Sequence, residues 1–329
     1  MKKIFTLLVM VALAACWTSC SDDDKKGNKE EDHYEKITLI VNIQDPSKEF
    51  YIPINDYFED KGSGIIDWGD GQSEQYKAEA EVSHYYTTKG EYTITIKSNS
   101  IQSLSIYDPI ISINANGCSS LKILNCTSNI STINITNCSA LETLTCNTTP
   151  NITSLNLTGC HSLQTLICHE TQLTTLTLSD CSELITLVCS NSPISSLDIN
   201  KCYKLTSLSC TNTKITDLDV TLCTMLEGLY CSYTPITSLN LQGCNSLKNL
   251  LCYNTLLSYL NVTNCNSLEQ VFCHDNSFTE NSFKQFLNSL PYKNKNAYLY
   301  LGREDYAKYD HSIADNKGWL VSNKSYEEQ

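Results

Sequence analysis

The chain has 329 residues, enough for two or three folded units with a sizeable core. Its formal charge is −13, from 36 acidic against 23 basic residues. No basic stripe runs along it, which excludes a nucleic-acid surface built on phosphate contacts. Much of the acid lies before residue 92, and the long middle section is nearly neutral and rich in Ser, Thr and Asn.

The N-terminus, Met1-Lys2-Lys3 followed by the apolar run Ile4 to Ala15, reads as a secretion signal too short to span a membrane. Leu13-Ala14-Ala15-Cys16 looks like the cleavage box of bacterial lipoproteins. Ser19-Cys20-Ser21-Asp22-Asp23-Asp24 resembles the start of surface lipoproteins of Bacteroides-type bacteria. Cys16 has the better residue three positions before it, and Cys20 has the better acidic flank. Lipid attachment is therefore expected at Cys20, with Cys16 as the alternative, after a signal at 1–20. The expected location is the bacterial outer membrane, anchored by lipid and facing outward, with no membrane-spanning helix. Residues 21–35 carry almost nothing apolar and read as a flexible tether.

Residues 36–100 read as antiparallel β-structure. Ile37, Leu39, Val41 and Ile43 alternate with polar residues, as do Tyr92, Ile94 and Ile96. Between them, Asp67-Trp68-Gly69-Asp70-Gly71 carries a hairpin-turn signal. Trp68–Gly71, then His84-Tyr85-Tyr86, then Gly90–Ile96 together resemble a PKD-type β-sandwich. The two aspartates could hold a cation, but shaping the turn is the expected role, and Trp68 and His84 are expected in the core and turn.

From 118 to 276 the chain keeps a strict period. One cysteine series stands at 118, 138, 160, 181, 202, 223, 244 and 265, and a second follows each member by eight residues. One unit reads Cys160-x-x-Leu163-x-x-Leu166-x-Cys168-x-x-Thr171-x-Leu173-x-x-Leu176-x-Leu178. A period near 21 with this leucine spacing predicts a solenoid, because one coil cannot close a core and must bury its apolar positions against its neighbours. The first half of each unit matches the leucine-rich-repeat strand segment, with Cys in the third Leu slot and Thr or Ser usually in place of Asn. The second half has no room for a helix, so a second short parallel strand or extended segment is expected. Residues 101–117 look like a degenerate first coil that joins the sandwich to the stack. The solenoid is thus placed at 101–276.

Sixteen repeat cysteines in an exported chain admit disulfides, metal ligation or buried thiols. Each series occupies an inward leucine-like slot, no C-x-x-C occurs, and His161, His169 and His274 keep no register with the sulfurs. Ladders of buried thiols are expected, with no metal and no cofactor. In-register cysteines also start from a poor geometry for the S–S torsion.

After residue 276 the period fails. Phe283, Phe286, Leu287 and Leu290 form the stripe of a short amphipathic helix stopped by Pro291. Ala297–Leu301 reads as a strand, and 315–321 as a turn and last strand, making 277–329 a C-terminal cap. The fold expected is mainly β. It comprises a right-handed leucine-rich-repeat solenoid of about eight 21-residue coils with parallel strands, a small antiparallel β-sandwich before it and a short α/β cap after it.

No nucleophile–base pattern, zinc-protease motif, P-loop or carboxylate pair stands out, so no enzyme is expected. The outward strand position before each second cysteine is informative. It reads Asn125, Thr145, Ile167, Val188, Ser209, Tyr230, Leu251 and Phe272, turning aromatic toward the C-terminal end. Tyr233, Tyr253 and His274 follow just past the strands. Grouped outward aromatics suggest a contact site; the alternative is that they pack on the cap. The polar column at Asn134, Asn156, Thr177, Asp198, Asp219, Asn240 and Asn261 is expected to be structural.

Signal, PKD-like module, repeats and cap together resemble the BspA-like leucine-rich-repeat surface lipoproteins of Bacteroides-type bacteria. That resemblance implies a surface adhesin recognising host or bacterial proteins. The alternative it leaves open is a glycan-capturing component of a nutrient-uptake system. A monomer without nucleic-acid partners is expected in either case.

Overall fold

Alternating apolar residues put six antiparallel strands into the N-terminal module: β1 (Glu35–Ile43), β2 (Phe50–Pro53), β3 (Ser63–Asp67), β4 (Ser73–Lys77), β5 (Glu81–His84) and β6 (Gly90–Ser98). The computed structural model describes residues 34–54, 63–77, 81–107, 110–126, 130–294 and 296–323, so the signal, the tether, Cys16 and Cys20 lie outside the described residues. β1 pairs with β6 along its whole length, from Glu35 opposite Ser98 to Ile43 opposite Gly90. Ile37, Leu39, Val41, Ile94 and Ile96 are fully buried between the sheets. The two aspartates shape the Trp68–Gly71 turn: Gly69 N donates to Asp67 Oδ1 (2.9 Å) and Gln72 N to Asp70 Oδ1 (3.0 Å). Asp70 also takes His84 Nε2 at 2.8 Å, and the His84 ring stacks on Trp68.

Each solenoid coil has two walls. The first-wall strands are β7 (Ser103–Ile106), β9 (Ile123–Cys126), β11 (Thr143–Thr145), β12 (Thr165–Ile167), β14 (Thr186–Val188), β16 (Ser207–Ser209), β17 (Gly228–Tyr230), β18 (Asn249–Leu251) and β19 (Gln270–Phe272). They pair in parallel and in register, so that Leu144, Leu166, Leu187, Leu208, Leu229, Leu250 and Val271 form one inward column. The second wall is thinner. It holds β8 (Ile110–Asn114), β10 (Thr132–Asn134), β13 (Thr175–Thr177) and β15 (Ser196–Asp198), with single bridges elsewhere, such as Asn240 to Asn261. Residues 101–107 and 110–117 form a coil with a strand on each wall, β7 and β8.

The sandwich is joined to the stack through β-sheet. One sheet runs β10-β8-β1-β6-β3-β4, so the second wall continues into the N-terminal module. On the other side, Ile54 bridges antiparallel to Leu104 of β7. Both open edges of the first coil thereby find partners, which is how a solenoid end avoids exposing core and unpaired backbone.

At the far end the cap continues the first wall. The helix expected from the phenylalanine stripe is α1 (Glu280–Ser289), begun by a Thr279 capping box with Ser282, and it buries Phe283, Phe286 and Leu287. Then come β20 (Ala297–Tyr300), α2 (Arg303–Lys308), α3 (Ser312–Asn316) and β21 (Trp319–Ser322). β20 and β21 add in parallel to β19, completing an 11-stranded sheet. Residues 315–316, read from sequence as turn, form the end of α3 instead, and α2 carries no buried residue that would have given it an apolar stripe.

Turn chemistry repeats with the coil. Thr149, Thr171, Thr213, Thr234 and Thr255 are buried and each donates its hydroxyl to the carbonyl of the cysteine three residues before. Asn276, with a full amide, donates to the carbonyls of Cys252, Cys273 and His274 and accepts from Leu257 N. The residue just before this slot is left-handed in successive coils, at Asn191, Asn212, Tyr233, Asn254 and Asp275 among others.

The sixteen repeat cysteines are buried free thiols. Several donate to carbonyls of the neighbouring coil, Cys138 to Ala115 O (3.1 Å) and Cys160 to Ile135 O (3.3 Å) among them. Burial pushes the first series up to about 11 or 12, as at Cys160 and Cys181, and the second at least as far. Thiol nucleophilicity is suppressed accordingly.

Candidate interaction surface

Side chains alternate in and out along each first-wall strand, so the residue after the inward leucine projects from the broad sheet. Tyr230 and Leu251 do so and are half-buried. Gly228 makes room for the Tyr230 ring, since a β-carbon there would lie 2.8 Å from the ring's edge. Tyr230 therefore lies back along its own strand, and any larger residue at 228 would push it outward.

Phe272 takes part differently. It is 9% exposed and stacks on Tyr300 of β20, with ring centroids 4.0 Å apart and planes 15° apart. Tyr298 lies beside Tyr300 at 6.0 Å. The aromatic column thus runs on into the cap, and Phe272 serves the cap junction more than the open face.

Just past the strands the structure brings together three rings that are twenty or more residues apart in sequence. Tyr233 meets Tyr253 edge to face at 5.3 Å, and Tyr253 stacks on His274 at 4.6 Å. Tyr233 is 52% exposed and sits at the left-handed turn position, φ 57°. Neighbouring coils fill that position with Asn, which tolerates it far better than an aromatic residue. Asn212 Nδ2 even donates to Asn191 Oδ1 (2.9 Å), an amide ladder that Tyr233 interrupts. His274 Nδ1 lies 2.8 Å from Asp275 Oδ2, Asp275 N donates to Asp305 Oδ2, and Gly302 packs against the imidazole. The cap therefore buttresses one end of the row while Tyr233 projects at the other.

On the second wall the polar column is structural. Asn156, Asp198, Asp219, Asn240 and Asn261 each accept, through Oδ1, the backbone N–H two residues on. These are Asx turns that end each second-wall segment. The Thr221 hydroxyl and amide hold the Asp219 carboxyl below its ordinary value. Two shallow grooves lie on this wall. One of about 760 Å³ is lined by Asp198, Asp217, Asp219 and Lys201, and one of about 510 Å³ by Asn240, Gln242, Tyr259 and Asn261. Sequence reading passed over Tyr259. Its signal is that the same slot holds Thr175, Ser196, Asp217 and Ser238 in preceding coils.

In the N-terminal module, His84, Asp70 and Trp68 form a closed cluster, with the His84 and Asp70 side chains 9% and 11% exposed. Burial works to raise the Asp70 carboxyl, and the His84 and Gln72 hydrogen bonds outweigh it, leaving it below its ordinary value. Among the described residues no group of three or more His, Cys, Asp or Glu is arranged to hold a metal ion.

The molecule is a solenoid of leucine-rich-repeat type in which cysteine takes the third leucine slot of the strand. No protein-family model matches the chain, and no curated protein matches it. Among solved structures it is similar to the functional domain of InlJ from Listeria monocytogenes, described as including a cysteine ladder: 23% identity, 70% of this chain, 56% of that one, TM-score 0.48. It is also similar to a leucine-rich-repeat protein of Leptospira interrogans, at 18% identity, 53% of this chain, 54% of that one and TM-score 0.43. An internalin of Listeria monocytogenes, InlF, aligns at 16% identity, 68% of this chain, 87% of that one and TM-score 0.41. The chain spans about half the length of the first two, and these likenesses concern fold alone.

Proposed function

We propose that this chain is a lipid-anchored surface protein that holds a protein partner against the last coils of its solenoid. The observation that carries the reading is the row Tyr233–Tyr253–His274, three rings each touching the next across three successive coils, with Tyr233 half exposed on a left-handed backbone. Tyrosine offers a large contact area with few rotors to freeze, and clustered rings of this kind act as binding anchors. Tyr230 and Leu251 extend the patch onto the sheet, and Phe272 and Tyr300 support it from the cap. The left-handed turn recurs through the repeat, and here an exposed aromatic stands where the adjacent coils hold Asn212 and Asn254.

Surface display rests on the sequence: an apolar signal, Cys16 and Cys20, and an acidic tether. Replacing both Cys16 and Cys20 by Ala should release the protein from the membrane fraction. Continued membrane retention would reject the anchor.

The binding reading is tested with full-length protein against a panel of extracellular-matrix and cell-surface proteins by surface plasmon resonance. Changing Tyr230 and Tyr253 together to Ser should weaken binding by about 2 kcal/mol or more, roughly thirtyfold, while the lost ring contacts lower the melting temperature by only a few degrees and the protein stays folded at the assay temperature. Binding to no panel member, full affinity in the double variant, or a loss explained by unfolding would each overturn it.

A further inference from the structure

We propose that the groove on the second wall of the last two coils, around Tyr259, binds a neutral glycan chain. This wall lies across the core from the first-wall sheet, and the proposal does not depend on the protein-binding patch.

The chemistry of the lining points to the ligand class. The groove of about 510 Å³ is formed by Ser, Thr, Asn and Gln side chains, two core leucines and one tyrosine, and none of its lining residues is charged. Two coils earlier the equivalent groove carries Asp198, Asp217, Asp219 and Lys201. This stretch of the wall is uncharged, as are the early coils at Asn134, Asn156 and Thr177, and it keeps its hydrogen-bonding capacity. A neutral polyhydroxyl ligand suits that combination, because it offers many donors and acceptors and brings no charge of its own.

The Asx turn that recurs along this column also fixes how its two last amides are set. Asn240 and Asn261 each commit Oδ1 to the backbone N–H two residues on, at 3.0 and 2.9 Å. Their Nδ2 groups take no part in those turn bonds, and both residues are exposed. The two asparagines are bridged partners on adjacent coils, so the donors repeat at the inter-strand spacing of about 4.8 Å. A glycan chain lying along the solenoid presents its own hydroxyls at a comparable repeat.

Tyr259 supplies the flat surface. It is 49% exposed and lines this groove. Preceding coils hold Thr175, Ser196, Asp217 and Ser238 in this slot, so the solenoid does not need an aromatic there. A half-exposed ring beside amides matches the two faces of a sugar, whose C–H side packs on an aromatic plane while its hydroxyls reach the amides. Beyond this coil, α1 replaces the second wall, and Val262 N donates to Ser289 Oγ of that helix (3.1 Å).

The test is isothermal titration of full-length protein with maltohexaose, cellohexaose, xylohexaose and mannohexaose, beside acidic oligogalacturonate and a soluble unstructured peptide. At least one neutral oligosaccharide should bind, and acidic chains and peptide should not. Tyr259→Ser installs the residue that the preceding coil already tolerates, so folding is expected to persist, with circular dichroism as the check. It should weaken binding about tenfold or more, whereas Tyr259→Phe should retain most of it. Binding should be unaffected by the Tyr230→Ser/Tyr253→Ser double variant, which separates this site from the protein-binding patch. Failure of all four neutral chains to bind, preference for the acidic chain or the peptide, or full affinity in folded Tyr259→Ser would each overturn the proposal.

Discussion

Leu39 of β1 pairs with Ile113 of β8, and through that antiparallel contact the N-terminal module becomes the end wall of the solenoid. Ile113 in turn pairs in parallel with Ile133 of β10. A strand of the first coil therefore has a sandwich strand on one side and a solenoid strand on the other.

The consequence concerns folding. A chain with residues 34–98 deleted loses β1 beside β8 and uncovers Ile113 and Ile110, both 1% exposed in the intact protein. Each uncovered large apolar side chain costs about 2 kcal/mol, and an open strand edge invites association. The truncated protein should elute as aggregate or melt well below the full chain. A monodisperse truncation with unchanged melting temperature would show that the stack does not need this cover.

The thiol ladders give a pH prediction. Burial raises the first cysteine series to about 11 or 12 against an ordinary value near 9, and pushes the second series at least as far. The folded state holds its protons more tightly than the unfolded one. The stability this provides is complete below pH 9 and is lost as pH climbs through the raised values. Melting temperature should be flat through neutral pH and fall steeply between about pH 9 and 12. At pH 8 a thiol-blocking reagent should leave the sixteen repeat cysteines unlabelled in native protein and label them all after denaturation, read by intact mass. Fewer than half labelled after denaturation would reveal disulfides instead.

Tyr233 should be costly to the fold. A left-handed backbone costs an ordinary residue roughly 1–2 kcal/mol, and asparagine less. Against this, the edge-to-face contact with Tyr253 returns about 0.5–1.5 kcal/mol, so the single change Tyr233→Asn is expected to be near neutral. In a Tyr253→Ser background there is no ring contact to lose, and Tyr233→Asn should stabilise by about 1 kcal/mol. Denaturant unfolding of the four combinations measures both quantities. Destabilisation in the Tyr253→Ser background would show that the backbone at 233 is not strained.

Much of this protein was legible because its signals are local and repeated. The 21-residue period placed Leu166, Leu187 and Leu208 on one inward column, and the spacing of Phe283, Phe286 and Leu287 marked α1. The outward position of Tyr230 followed from strand alternation alone. Tyr259 was readable in principle, as a departure from the Ser, Thr and Asp of its column. It stands two residues before the polar column that ends at Asn261, as a single aromatic among small polar residues with no second ring beside it in that column.

The sequence by itself determined the coil, its two walls and the residues that fill the core, since a repeated apolar pattern has one way to be buried when every unit stacks on a copy of itself. Only the tertiary structure decided what happens where repetition stops. The pairing of β1 with β8 and the stacking of Phe272 on Tyr300 join residues with no periodic relation to announce them, and the repeat that set Tyr233, Tyr253 and His274 on neighbouring coils did not fix how their rings meet. They depend on which unpaired edge or uncovered ring lies within reach once the stack has formed, and that is a property of assembled surfaces rather than of local order along the chain.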